Sequence, residues 1–336
     1  MFRDTEKARY ADLKPLLFSP AAQAPGTYHG IPRPFCLADG HSEENLQPSV
    51  REEAVAYFRA RRIPWHDGWA DASGNGRGQP SNHLCCSQSF CVNALWPMVR
   101  DLELLAAAFR PFLPEIEAVL PFCADQPLAD GADPFLAFEW IGTRNYLGEV
   151  GNARQRGAKA TSADFAFRFR RTDGRVQLAL GEWKYTETYR KSPPDRDVLN
   201  ATRLRVYRTA FDRWREQYTG EAPFPPYEAF FVEPWYQLMR LTLLAQEMEL
   251  AGSEMGAEVV TVLHVAPRAN YDLSDNLSAA PEMRRWGSTL TEAWSHLAPA
   301  GRFLSISNED LLNSTAALAD SRHSTWVEYL LQRYGW

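Results

Sequence analysis

Asp164 and the tripeptide Glu182-Trp183-Lys184 are the residues whose types and spacing could do chemistry, and 17 residues separate the two acids. Between them lie two extended, strand-like runs joined by Arg171-Thr172-Asp173-Gly174-Arg175, a turn signal. Side chains on a strand alternate faces, so Glu182 and Lys184 point the same way, roughly 7 Å apart along the strand. Two carboxylates and one ammonium gathered by a hairpin are the parts needed to hold a divalent cation and a water beside a phosphodiester. The bland alternative for the trio is a surface salt bridge, which is worth little.

The hairpin register decides whether the parts meet. A two-residue Asp-Gly loop would pair Thr172 with Arg175 and set Asp164 opposite Trp183, on the wrong face. A three-residue loop, Thr172 to Gly174 with Gly174 left-handed, pairs Arg171 with Arg175 and Asp164 with Glu182. It also sets Phe165 and Phe167 against the small Gly181 and Ala179. The three-residue turn, or a bulge with the same effect, is therefore predicted.

An acid that leads one strand, a turn, and an acid-X-Lys tripeptide closing the next strand resemble the PD-(D/E)XK nuclease superfamily, the restriction-endonuclease-like fold. Ala163 stands where the family name has proline. The likeness covers roughly residues 135 to 270. The string Arg156-Gly157, Thr161 to Asp164 and Glu182 to Glu187 resembles a bacterial branch of that superfamily. The resemblance implies a metal-dependent nuclease acting on nucleic acid, DNA first, with Mg²⁺ or Mn²⁺ as cofactor. It implies Asp164, Glu182 and a further upstream acid as metal donors, together with the backbone carbonyl of Trp183. Glu149 is the first choice for that acid and Glu139 the second. Lys184 would orient water or offset charge on the phosphate. Gln237 and Arg240, one turn apart on an apolar helix, would support the site from behind. Arg154, Arg156 and Lys159 would flank a phosphate path.

Two other function classes stay open beside it. One is a nuclease-fold module that has lost activity and binds nucleic acid or a protein. The other is a metal hydrolase with a non-nucleic substrate. A homodimer would suit cleavage of both strands of a duplex.

The positioning elements can be read around this centre. With 336 residues, 45% of them apolar, the chain can fill a core as one large domain or two small ones. Net charge is −6, so any nucleic-acid surface must be local rather than global. No apolar run reaches membrane-spanning length, and the charged N-terminus is no signal peptide. Five cysteines, an odd number, fit a reducing cytoplasm. His83, Cys85, Cys86 and Cys91 lack zinc-site spacing and read as core filler on a helix over 84–96.

Helices are expected at 4–17, at 49–62 with Ser49 as cap, and through 97–120, where prolines break off a second short helix at 114–120. A mostly helical region, 1–134, is expected to pack on a nuclease-like domain, 135–336, that ends in helices. In that domain strands are expected at 135–140 and 258–265, with an extended piece at 230–233 and a strand at 302–306. Helices are expected at 197–218, 235–250, 288–297, 308–318 and 322–334. The fold class is α/β: a mixed sheet flanked by helices, with His264 packed on one strand.

Overall fold

The computed structural model describes residues 1–70, 76–149, 154–189, 201–275, 277, 280–318 and 322–335. Its centre is a six-stranded mixed sheet. The strands are β3 (Ile116–Leu120), β4 (Leu136–Trp140), β5 (Ala163–Arg171), β6 (Val176–Trp183), β7 (Val259–Ala266) and β8 (Phe303–Ser307). β1 (Gly26–Tyr28) and β2 (Ile31–Arg33) form a separate small hairpin. In the sheet, β3 to β6 pair antiparallel, while β6–β7 and β7–β8 are parallel.

The three-residue turn is present. Phe165 pairs with Gly181 and Phe167 with Ala179, the Arg171 amide donates to the Arg175 carbonyl, and Gly174 has φ +86°. Gly181 is required there: a Cβ on it would come 2.0 Å from the Phe165 ring.

Helices cover both faces. Phe165, Phe167, Phe169 and Trp183 point toward α1 (Phe2–Leu17), α2 (Pro48–Ala60), α3 (Ser87–Leu95), α4 (Leu102–Phe109), α9 (Asn308–Leu318) and α10 (Ser324–Tyr334). Leu178, Leu180, Val260 and Val262 face α5 (Ala201–Glu216), α6 (Trp235–Ala251) and α8 (Leu290–Leu297). α7 (Tyr271–Ser274) is a single turn. In α5, Tyr207, Ala210, Phe211 and Trp214 recur at three and four residues and are all buried, as an amphipathic helix requires.

Four local expectations are corrected. Residues 116–120 form strand β3 rather than a second short helix. β5 is nine residues long and β4 covers only its first half, so Arg168 to Arg171 would present an open edge. Ile116 and Val119, β-branched and buried, supply the partner. The line expected at 134/135 therefore crosses the sheet. α2 is capped by the Gln47 side chain, which accepts from the Ser49 amide at 2.8 Å, with Pro48 at its first position. Residues 230–233, expected to be extended, instead close a 3₁₀ turn over 227–230 and bend into α6. α3 starts at Ser87, and Pro97 turns its end into a 3₁₀ turn over 96–99. The start expected at residue 197 and part of the loop before it lie outside the described residues.

Candidate active site

The sheet register lines up four polar residues on adjacent strands. β4 and β5 pair Phe138 with Phe165 and Trp140 with Ala163, so Glu139 stands opposite Asp164 between them. One step beyond Phe165–Gly181, Asp164 stands opposite Glu182. Glu182 in turn faces His264 on β7. Glu139 has φ +51°, a left-handed backbone that interrupts the β4–β5 ladder. Such a conformation costs a non-glycine residue on the order of 1–3 kcal/mol and must be held by its surroundings. Arg156 holds it: the guanidinium donates to the carbonyls of Phe138 and Glu139 and is braced by Asp125 at 2.7 Å and the Tyr57 hydroxyl at 2.9 Å.

Each carboxylate has a defined partner. Asp164 Oδ2 accepts from the Trp183 amide at 2.6 Å, which fixes it across the β5–β6 ladder. Glu139 Oε1 accepts from Gln88 Nε2 of α3 at 2.7 Å. Glu182 Oε1 lies 2.6 Å from Lys184 Nζ. That ammonium also donates to Gln237 Oε1 of α6 at 2.5 Å, so α6 fixes the lysine head. The Lys184 amide continues the β6–β7 ladder by donating to the Val265 carbonyl at 2.7 Å.

The electrostatics follow from burial and like charge. Burial first, then the charges of Glu182 and Glu139, push the Asp164 carboxyl well above its ordinary range. Burial raises Glu139 to about 7, opposed by the Gln88 hydrogen bond and assisted by Glu182. The Cys91 thiol of α3 is pushed well up by burial and then by Asp164, Glu139 and Glu182. Burial alone would lower Lys184, yet Glu182 and the nearby Tyr189, Glu187 and Asp164 hold its ammonium well above the ordinary value. The three acids thus share one electrostatic neighbourhood with Lys184.

The other sequence-predicted residues are elsewhere or differently employed. The Glu149 carboxylate accepts from the Thr161 amide at 2.8 Å, the Thr161 hydroxyl at 2.6 Å and the Tyr207 hydroxyl at 2.6 Å. It ties its own loop to β5's entry and to α5. Arg240 is buried with its guanidinium 4.7 Å from the Tyr236 ring centroid, among Tyr207, Glu233 and Glu149. Arg154 donates to the carbonyls of Ile141 and Gly142. Arg154 and Arg156 therefore brace the β4 end from within, while Lys159 is exposed. The Trp183 side chain packs edge-on against Phe90 and Phe165, away from the acids.

Sequence reasoning gave Gln88 no place at the site and read His264 as packed on its strand, where the structure buries it beside the acids. The adjacent-strand register would have flagged His264, but a parallel pairing leaves no local trace. The His264 ring is buried, and burial followed by the Lys184 charge lowers it to about 3, so it is neutral.

A metal fits the donor set in kind. Glu139, Asp164 and Glu182 offer hard oxygens, and a divalent cation would relieve the mutual repulsion that adds to burial in raising Asp164 and Glu139. Among the described residues no three acidic, histidine or cysteine side chains already close around one point.

A family model described as "Restriction Endonuclease associating with ARP" matches residues 17–335. The chain belongs to this restriction-endonuclease family. The match takes in α2, α3 and α4 as well as the sheet, in keeping with the shared core they form in this family member. No curated protein and no solved structure matches the chain. Among the described residues no helix is long and apolar enough to cross a membrane.

Proposed function

We propose that this restriction-endonuclease family member hydrolyses phosphodiester bonds in DNA through a PD-(D/E)XK site. The carrying observation is the register that sets Asp164 opposite Glu182, with Lys184 two residues further on. Asp164, Glu182 and Glu139 are assigned as holders of Mg²⁺ or Mn²⁺. Glu139 takes the place first given to Glu149, whose oxygens serve Thr161 and Tyr207. When bound, such a cation activates water and offsets charge on the phosphate oxygens.

The chain's own residues do the rest. Trp183 N–H orients Asp164, Gln88 orients Glu139, and Arg156 holds the backbone that presents Glu139. Lys184, aimed by Gln237, supplies positive charge and a hydrogen-bond donor at the place where negative charge grows.

The test is incubation of the pure protein with supercoiled, linear and single-stranded DNA, with and without Mg²⁺, beside Asp164→Ala and Glu182→Ala. Metal-dependent cutting lost in both variants is expected. Full activity in either variant would reject the site. A second reading, an inactive nuclease-fold module, draws on one observation: Glu182 and Lys184 are only 7% and 6% exposed and are paired with each other. Binding of nucleic acid without cutting in the same assay would favour it.

A further inference from the structure

Arg62 and Arg77 line a groove of about 610 Å³, together with Arg59, Gln155, Ala158 and the edge of Phe58. Among the described residues no carboxylate lines it. The three arginines are exposed, and neither Arg62 nor Arg77 forms an ion pair among the described residues. In a chain of net charge −6, a groove whose described charged lining residues are all arginines is a local exception.

The patch is rigidly mounted. Phe58 stacks on Trp65 with ring centroids 4.0 Å apart, and the Trp65 amide holds the Arg77 carbonyl at 3.0 Å. Arg62 has φ +55°, and its carbonyl accepts from Gln155 Nε2 at 2.9 Å. Gln155 and Ala158 belong to the segment whose other side closes on the acids. A Cβ on Gly157 would come 3.2 Å from the Glu139 carboxylate carbon. The groove and the carboxylate row are thus two sides of one short loop.

We propose that this groove carries the phosphate backbone of the nucleic acid as it approaches Glu139, with Arg62 and Arg77 making phosphate contacts. It rests on the nuclease reading and gives that site a track for its polyanionic substrate. Exposed guanidinium groups suit phosphate because they present several donors in one plane. The two arginines between them would position the strand without reading its sequence.

The test compares the protein with Arg62→Ser/Arg77→Ser, using anisotropy of a labelled DNA duplex, DNA single strand and RNA strand in EDTA, where nothing is cut. The double variant should bind roughly tenfold or more weakly at low salt. Its log-affinity against log-salt slope should fall by about 0.9 per arginine on the duplex. Arg62→Lys/Arg77→Lys should recover most of both, which separates lost charge from a damaged fold. Unchanged affinity and slope, in a protein that still cuts DNA in Mg²⁺, would overturn the groove and leave the nuclease reading standing. A wild-type protein that neither binds nor cuts any of the three would overturn both.

Discussion

Lys184 Nζ, one residue past the end of β6, lies 2.6 Å from Oε1 of Glu182 on that strand. Two charges withdrawn from water are tolerated only while each has the other and further hydrogen bonds. Gln237 supplies one of those bonds to the ammonium. Geometry that serves chemistry here is bought with an arrangement that cannot lose one member quietly.

Lys184→Met should therefore destabilise the protein by about 3 kcal/mol, because it strands Glu182 in a buried place. Glu182→Gln/Lys184→Met should cost less than the two single changes together. Urea denaturation of the four proteins gives the coupling. A single Lys184→Met that unfolds like wild type would show that the pair is solvated.

Asp164→Asn should abolish cleavage yet leave the fold more stable at pH 8, by about 1 kcal/mol. The amide can still accept from Trp183 N–H, and the repulsion from Glu182 and Glu139 that raises Asp164 is gone. Thermal unfolding and plasmid cutting measure the two effects. A lower melting temperature would mean the acid is held for stability.

Glu139→Gln and Glu149→Gln separate the two upstream acids. The first should remove metal-dependent cutting and weaken Mg²⁺ titration while keeping the Gln88 contact available. The second should leave cutting within a few-fold and lower stability by about 1–3 kcal/mol, since Thr161 and Tyr207 lose a charged acceptor. The reverse pattern would return the metal role to Glu149.

Part of the acid sensitivity should trace to His83, beside the still more depressed His264. Burial, then the Lys7 charge, lowers the His83 ring from 6.5 to about 4, and its Nδ1 accepts from the Cys85 amide at 3.1 Å. The unfolded chain takes up a proton near 6.5 and the folded chain does not until about 4. Stability from this group is therefore complete above the unfolded value and lost as pH falls through that window. The loss is on the order of 3 kcal/mol. His83→Phe should flatten that part of the stability curve between pH 7 and 4, and an unchanged slope would assign it to other groups.

The hairpin and its register were legible because turn length, the need for φ > 0 at Gly174 and the bulk of Phe165 against Gly181 all agree. The long helices were legible too: α5 by one stripe of large apolar residues, α6 by an apolar run buried on nearly every side. Glu139 was harder to place, since its left-handed backbone is imposed by Arg156, Tyr57 and Asp125 from three other segments. Arg154 and Arg156 read as flanking a phosphate path because composition cannot say whether a guanidinium turns outward or toward carbonyls. Strand β3 escaped because its reason for being extended is an open edge on β5, fifty residues downstream in effect though next door in space. The groove arginines come from two segments that only the folded chain brings to one place.

The aromatic face of β5 and β6 is roofed by pieces from both ends of the polypeptide. Arg333 of α10 donates to the Asn45 carbonyl at 2.7 Å, Arg9 of α1 donates to the Arg333 carbonyl at 2.8 Å, and Phe90 stacks on Tyr334 at 3.8 Å. Severing the first 134 residues would uncover much of Phe165, Phe167 and Trp183 and take Asn45, Arg9 and Phe90 away from α10. A shortened recombinant fragment would be an oily sheet prone to clumping, so any minimal version of this protein has to keep its beginning and its end together.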